Sequence, residues 1–132
     1  MPNYLKLLVL SILFVSCNKD NNNTPAPDVP GTITVTSPSA IAIYTNGNTL
    51  KVEGEMTDNN GLSTARVEIR NKTTTALLYQ QSSTTGSVSF YRFLWNWTIT
   101  GITTTTIATV KIVARDKQSN EISREIDVTL DN

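Results

Sequence analysis

Cys17 is the only thiol in the chain, and histidine is absent. The usual general base, a cysteine–histidine pair and the common zinc ligand sets are therefore excluded, and no disulfide can form within the chain. Catalysis would have to rest on carboxylates. Glu53 and Glu55 alternate with Val52, Gly54 and Met56, and that spacing places both acids on the solvated face of a strand, with no cavity in which to pair. No glycine-rich phosphate loop follows a strand and opens a helix. The chain is read as non-enzymatic, with no cofactor and no resident metal. Cys17 ends an apolar run from Leu7 to Val15 behind the basic Lys6 and reads as the attachment point of a lipid, the alternative being an ordinary secretory signal whose cysteine is incidental. That run of about nine residues has the length of a secretory h-region and is too short to cross about 30 Å of hydrocarbon.

Two further sets of side chains have the spacing for recognition. Tyr91, Phe93, Trp95 and Trp97 fall at spacing two, so a regular strand puts all four rings on one face. Such a strip either builds the core or forms a flat platform for the apolar faces of a sugar. The opposite face carries Phe90, Arg92, Leu94, Asn96 and Thr98, the more polar set, which favours the aromatic face as the inward one. The second set is the pair of oxygen-rich turns, Asp58-Asn59-Asn60 and Asp116 with Asn120. If they met at one end of the domain they could offer oxygens to Ca²⁺, but Asp and Asn in turns ordinarily bond nearby backbone, and that reading is preferred.

The elements that must position these residues are strands. From Thr32 onward Thr, Val and Ile dominate, and no 3.6-residue apolar stripe occurs. Ile33 and Val35 alternate with threonines until Ser37-Pro38-Ser39 breaks the run, and Ile41, Ile43 and Tyr44 resume it, which predicts a split first strand. Leu50, Val52, Gly54 and Met56, then Ala65, Val67 and Ile69, give two half-buried strands separated by a turn at Asp58-Asn59-Asn60-Gly61. A short edge strand is expected over Ala76 to Gln80, closed by Ser82 to Gly86. Val88 to Thr100 is the longest expected strand, followed by Thr105 to Ala114 and a last one through Ile122, Ile126, Val128 and Leu130. About seven strands in about one hundred residues predict an all-β, antiparallel sandwich. Before them, Asn21 to Gly31 holds Pro25, Pro27 and Pro30 and almost no apolar side chain, the composition of an extended tether.

Charge narrows the partners. Lys plus Arg number 11 and Asp plus Glu number 11, and loss of Lys6 with a leader would leave one cation fewer than acids. No electrostatic case for nucleic acid arises.

Leu13-Phe14-Val15-Ser16-Cys17 resembles the lipobox of bacterial lipoproteins, with Phe14 where that family usually carries leucine. The resemblance implies a signal peptide over 1–16 and a mature chain attached to the membrane through acyl chains, palmitate among them, on Cys17. Asn18-Lys19-Asp20-Asn21-Asn22-Asn23 looks like the export signal of Bacteroidetes-type lipoproteins, with one acid where two are typical, and implies an outer-membrane, cell-surface address. The runs Ile33-Thr34-Val35-Thr36-Ser37-Pro38, Leu50-Lys51-Val52-Glu53-Gly54, Asp58-Asn59-Asn60-Gly61-Leu62 and Ala114-Arg115-Asp116 with Asn120 resemble a bacterial immunoglobulin-like domain. Without the cysteine pair of antibody domains, only the sandwich architecture carries over.

The chain is thus expected to comprise a leader (1–16), a lipidated cysteine and linker (17–31) and an immunoglobulin-like domain (32–132). The expected role is protein interaction or adhesion, with Cys17 as lipid site. The alternative is a glycan-binding accessory lipoprotein that uses Tyr91, Phe93, Trp95 and Trp97.

Overall fold

The computed structural model describes residues 28–132. The expectations that fall on the leader, Cys17 and most of the linker lie outside the described residues. Six strands occur in chain order: β1 (Thr32–Ser37), β2 (Ile43–Thr45), β3 (Thr49–Asn71), β4 (Leu77–Thr98), β5 (Thr106–Asp116) and β6 (Glu121–Asp131). No helix is present among the described residues. The all-β reading holds, and in β1 and β3 the alternation that predicted the strands is the alternation of their burial, whereas Ile41 and Ile43, which resume the run after Pro38, are exposed.

Two of the strands are double. Residues 49–57 of β3 pair with residues 90–98 of β4, and 53–57 also with β1, while residues 62–71 pair with β5 and with the first part of β4. The ladder slips between Thr57 and Leu62, where the chain reverses. The expected turn chemistry operates there: the Asp58 carboxylate accepts the Asn60 N–H at 2.8 Å, and Gly61 takes a left-handed φ of 87°. β4 reverses beside it through Gly86 and Ser87, at φ 71° and 68°. Buried Thr85 donates its hydroxyl to the Leu62 carbonyl at 2.6 Å, satisfying an acceptor where the ladder is interrupted. The single hydrogen-bonded sheet therefore folds over on itself into two layers. One layer is β1 with the first half of β3 and the second half of β4. The other is the first half of β4 with the second half of β3, β5, β6 and β2.

Between the layers lies one core. Leu50, Val52, Met56, Phe93 and Trp95 from the first layer meet Ala65, Val67, Ile69, Val110, Ile112, Val128 and Leu130 from the second. Full burial of each large apolar side chain contributes about 1.5–3 kcal/mol. Outward positions of the second layer are ionic, with Glu68 between Arg66 (3.2 Å) and Arg70 (3.1 Å), and Lys111 beside Glu125 (3.5 Å).

Three sequence expectations change. The short edge strand does not close at Ser82 to Gly86: it continues through the bend into the aromatic segment, because Val88 and Thr84 both remain paired with β3. The longest strand is β3, with 23 residues against 22 in β4, because the two strands expected on either side of Asp58 to Gly61 form one element. The sheet is also not purely antiparallel. β2 pairs parallel with β6, because after the break at Pro38 the chain keeps the direction of β1 while crossing to the other layer, where β6 runs the same way.

Candidate interaction surface

The molecule has two poles. Asp28, Asp58 to Gly61, Gly86 and Asp116 to Asn120 lie at the pole where the chain enters. Asn46, Thr73, Ile102 and Asp131 lie at the far pole.

The two oxygen-rich turns do meet at the entry pole. Asp28 clasps them, with one carboxylate oxygen accepting from Asn60 Nδ2 and the other from Asn120 Nδ2 at 3.1 Å. Asp116, only 3% exposed, accepts both the backbone N–H and the side-chain amide of Asn120 at 2.8 Å. Burial alone would raise the Asp116 pKa, but these bonds, with others from the Gln118 backbone and the Asn60 side chain, hold its carboxyl below the usual carboxylate range. Asp28, Asp58, Asp116 and Glu121 line a 260 Å³ pocket floored by Ala114 and Ile122. The carboxylates of Asp28, Asp58 and Asp116 are engaged by the amides of Asn60 and Asn120. Among the described residues no group of three or more acid, histidine or cysteine side chains converges as metal ligands would. The role of Asp28 was not foreseen, since a lone acid in a proline-rich linker carries no pattern.

The aromatic strip turns inward. Phe93 is fully buried and Trp95 is 3% exposed, and their rings stack at 4.9 Å. Tyr91 and Trp97 are half-buried against the same core. Phe93 and Trp95, buried between the two layers, have no face left for a sugar, and with Tyr91 and Trp97 half-buried beside them the four rings do not form the flat exposed strip that the glycan reading needed.

The exposed side of the same strand is the unexpected surface. Val88, Phe90 and Leu94 are 41%, 48% and 56% exposed, in line with Arg92, whose side chain is 73% exposed. On this face β3 contributes Glu53, Glu55 and Thr57, with Glu55 3.9 Å from Arg92. β4 is also an edge throughout: among the described residues it pairs with β3 alone. Phe90 and Leu94 at spacing four were legible as outward apolar residues, but nothing local to them says that the strand is unpaired on one side.

Comparison with known proteins places this arrangement. The family described as bacterial Ig domain matches residues 32–112. The chain belongs to the bacterial Ig domain family. Among solved structures, this bacterial Ig domain is similar to the fibronectin(III)-like modules of Clostridium thermocellum CbhA at 19% identity and a TM-score of 0.49, over 76% of this chain and 96% of that one. It is also similar to CopC from Methylosinus trichosporium OB3b (14% identity, TM-score 0.44, 79% of this chain and 91% of that one) and to murine CRIg (10% identity, TM-score 0.42, 78% and 98%). No curated protein matches it.

Proposed function

We propose that this bacterial Ig domain is a lipid-anchored module on the cell surface, held to the outer membrane through Cys17 and acting by protein interaction or adhesion without catalysing a reaction. The observation that carries the reading is the polarity of the domain. The chain enters at one pole, where Asp28 is tied to Asn60 and Asn120, so the far-pole loops and the length of the β4 edge extend away from whatever precedes residue 28. The apolar run Leu7 to Val15 before Ser16-Cys17, and the proline-bearing tether behind it, support the anchor. Acyl chains contribute about 0.8 kcal/mol per buried CH₂, which makes a multiply acylated cysteine a stable attachment.

Fractionation tests the anchor. Cys17→Ser should move the protein from the membrane to the soluble fraction, and a variant that stays with membranes would overturn lipidation. Protease added to intact cells should digest the domain, and full protection would place it on the periplasmic face instead. Photo-crosslinkers installed at Thr73 and at Leu94 should yield adducts with another protein on the cell, and silence at both positions would overturn the interaction role.

A further inference from the structure

We infer that the free edge of β4 over residues 88–98 accepts an extended strand from another protein, one that alternates apolar, acidic and apolar side chains on the face it shares with Phe90, Arg92 and Leu94. The inference deepens the interaction-module reading and rests on it.

Unpaired edges invite strand addition, and natural domains guard them with charges, proline or very short strands. β4 uses little of this. In its 22 residues it has no proline and a single charged side chain, Arg92. The bend at Gly86 and Ser87 separates its two halves, and residues 90–98 of the second half form a regular ladder with β3 whose open side pairs with no other strand among the described residues; the Asn96 carbonyl near its end lies 3.4 Å from the Tyr79 hydroxyl. An incoming strand would gain main-chain hydrogen bonds from the edge and selectivity from alternate side chains.

The exposed face states what those side chains are. Successive outward positions on β4 are apolar at Phe90, cationic at Arg92 and apolar at Leu94. Residues directly opposite on adjacent strands interact most strongly. A partner strand therefore fits best with an acid against Arg92 and apolar residues against Phe90 and Leu94. Glu55 on the other side of Arg92 is 3.9 Å away, a loose pairing that leaves the guanidinium open to a second carboxylate.

The same pattern disfavours a second copy of this chain. In an antiparallel two-fold pairing, the register that sets Phe90 against Leu94 also sets Arg92 against Arg92, and like charges directly opposite are destabilising. No other two-fold register gives both Phe90 and Leu94 an apolar partner.

Two labelled, end-blocked heptapeptides test this. Both alternate threonine with the sequence valine, X, valine, where X is glutamate in one and lysine in the other; each reads the same in either strand direction. With the full chain in mild detergent, fluorescence anisotropy should show the glutamate peptide binding at least about threefold more tightly than the lysine peptide. Amide hydrogen exchange should show new protection confined to residues 88–98. The double variant Glu55→Lys/Arg92→Glu keeps the local pair and should invert the preference. Should that variant fail to fold, Arg92→Thr in its place should abolish the preference while leaving residual binding. Equal affinity for both peptides, or protection elsewhere, would overturn the inference. Self-association without peptide that protects the same amides would overturn it in favour of a second copy. Failure here alongside crosslinked adducts at Thr73 would remove the edge as the contact while leaving the interaction module standing.

Discussion

The ring of Tyr79 stacks on the indole of Trp97 with centroids 5.8 Å apart and planes 21° from parallel, although both side chains come from the same strand. Tyr79 belongs to the half of β4 that pairs with Ile69, and Trp97 to the half that pairs with Leu50. The stack thus spans the two layers along the side of the domain where β4 is the edge, and it shields the core there. The Tyr79 hydroxyl donates to the Gln81 side chain and lies 3.4 Å from the Asn96 carbonyl, giving its polar end partners while its ring stays packed.

A double-mutant cycle of Tyr79→Ala and Trp97→Ala, read by urea denaturation, should yield a coupling of about 0.5–1.5 kcal/mol beyond the area each ring buries. Additive effects would mean that the rings pack independently. Burial pushes the Tyr79 phenol up. Its share of stability is therefore present below the ordinary tyrosine pKa of about 10 and is lost as pH rises through the raised value.

Trp95→Ala should cost about 3–5 kcal/mol, the range for emptying a large aromatic site. The two tryptophans of the chain are Trp95 and Trp97, so emission reports this strand alone. Acrylamide should barely quench Trp95 and should reach half-buried Trp97 more easily, and emission should not respond to sugars. Strong quenching of both, relieved by a glycan, would restore the platform reading.

Gly54→Ala should be among the more damaging single-atom additions in the domain. A Cβ at Gly54 would lie 2.1 Å from the Thr34 carbonyl oxygen and 2.6 Å from Phe93 Cζ. The first neighbour is backbone, so β1 must move away for the methyl to fit. An overpacking cost of about 1–3 kcal/mol is expected, with faster amide exchange in β1 as its signature. Wild-type exchange in β1 would show that the strands yield without separating.

Stability should fall in acid, and Asp116 and Asp127 should carry part of the slope. Hydrogen bonds from Lys72 and Thr109 hold Asp127 below the usual carboxylate range, as the amide bonds around Asn120 do for Asp116. For a carboxyl whose pKa is lowered by folding, the contribution is present above the unfolded value of about 3.9 and disappears as pH falls through the folded one. Denaturation midpoints should therefore drop below about pH 4. Asp116→Asn should flatten that slope, and a slope unchanged from wild type would show that Asp116 does not contribute.

By itself the sequence determined much of what depends on period and local backbone preference. Alternation at Leu50, Val52, Gly54 and Met56 fixed which face of β3 is buried, the polarity of Arg92 and Asn96 turned the Phe93–Trp95 face inward, and Pro38 split the first strand. Asp58 and Gly61 announced a reversal because their preferred conformations are the turn. Tertiary structure decided what depends on neighbours distant in the chain. It joined two expected strands into β4, set β2 parallel to β6, brought the Asp58 and Asp116 turns together under Asp28, and left Phe90 and Leu94 beside an open edge. The physical reason is that side-chain alternation records which face of a strand is wet, whereas hydrogen-bond pairing uses backbone groups that every residue carries. A strand at the edge and a strand in the middle of a sheet can therefore share one sequence pattern, and only the assembled layers distinguish them.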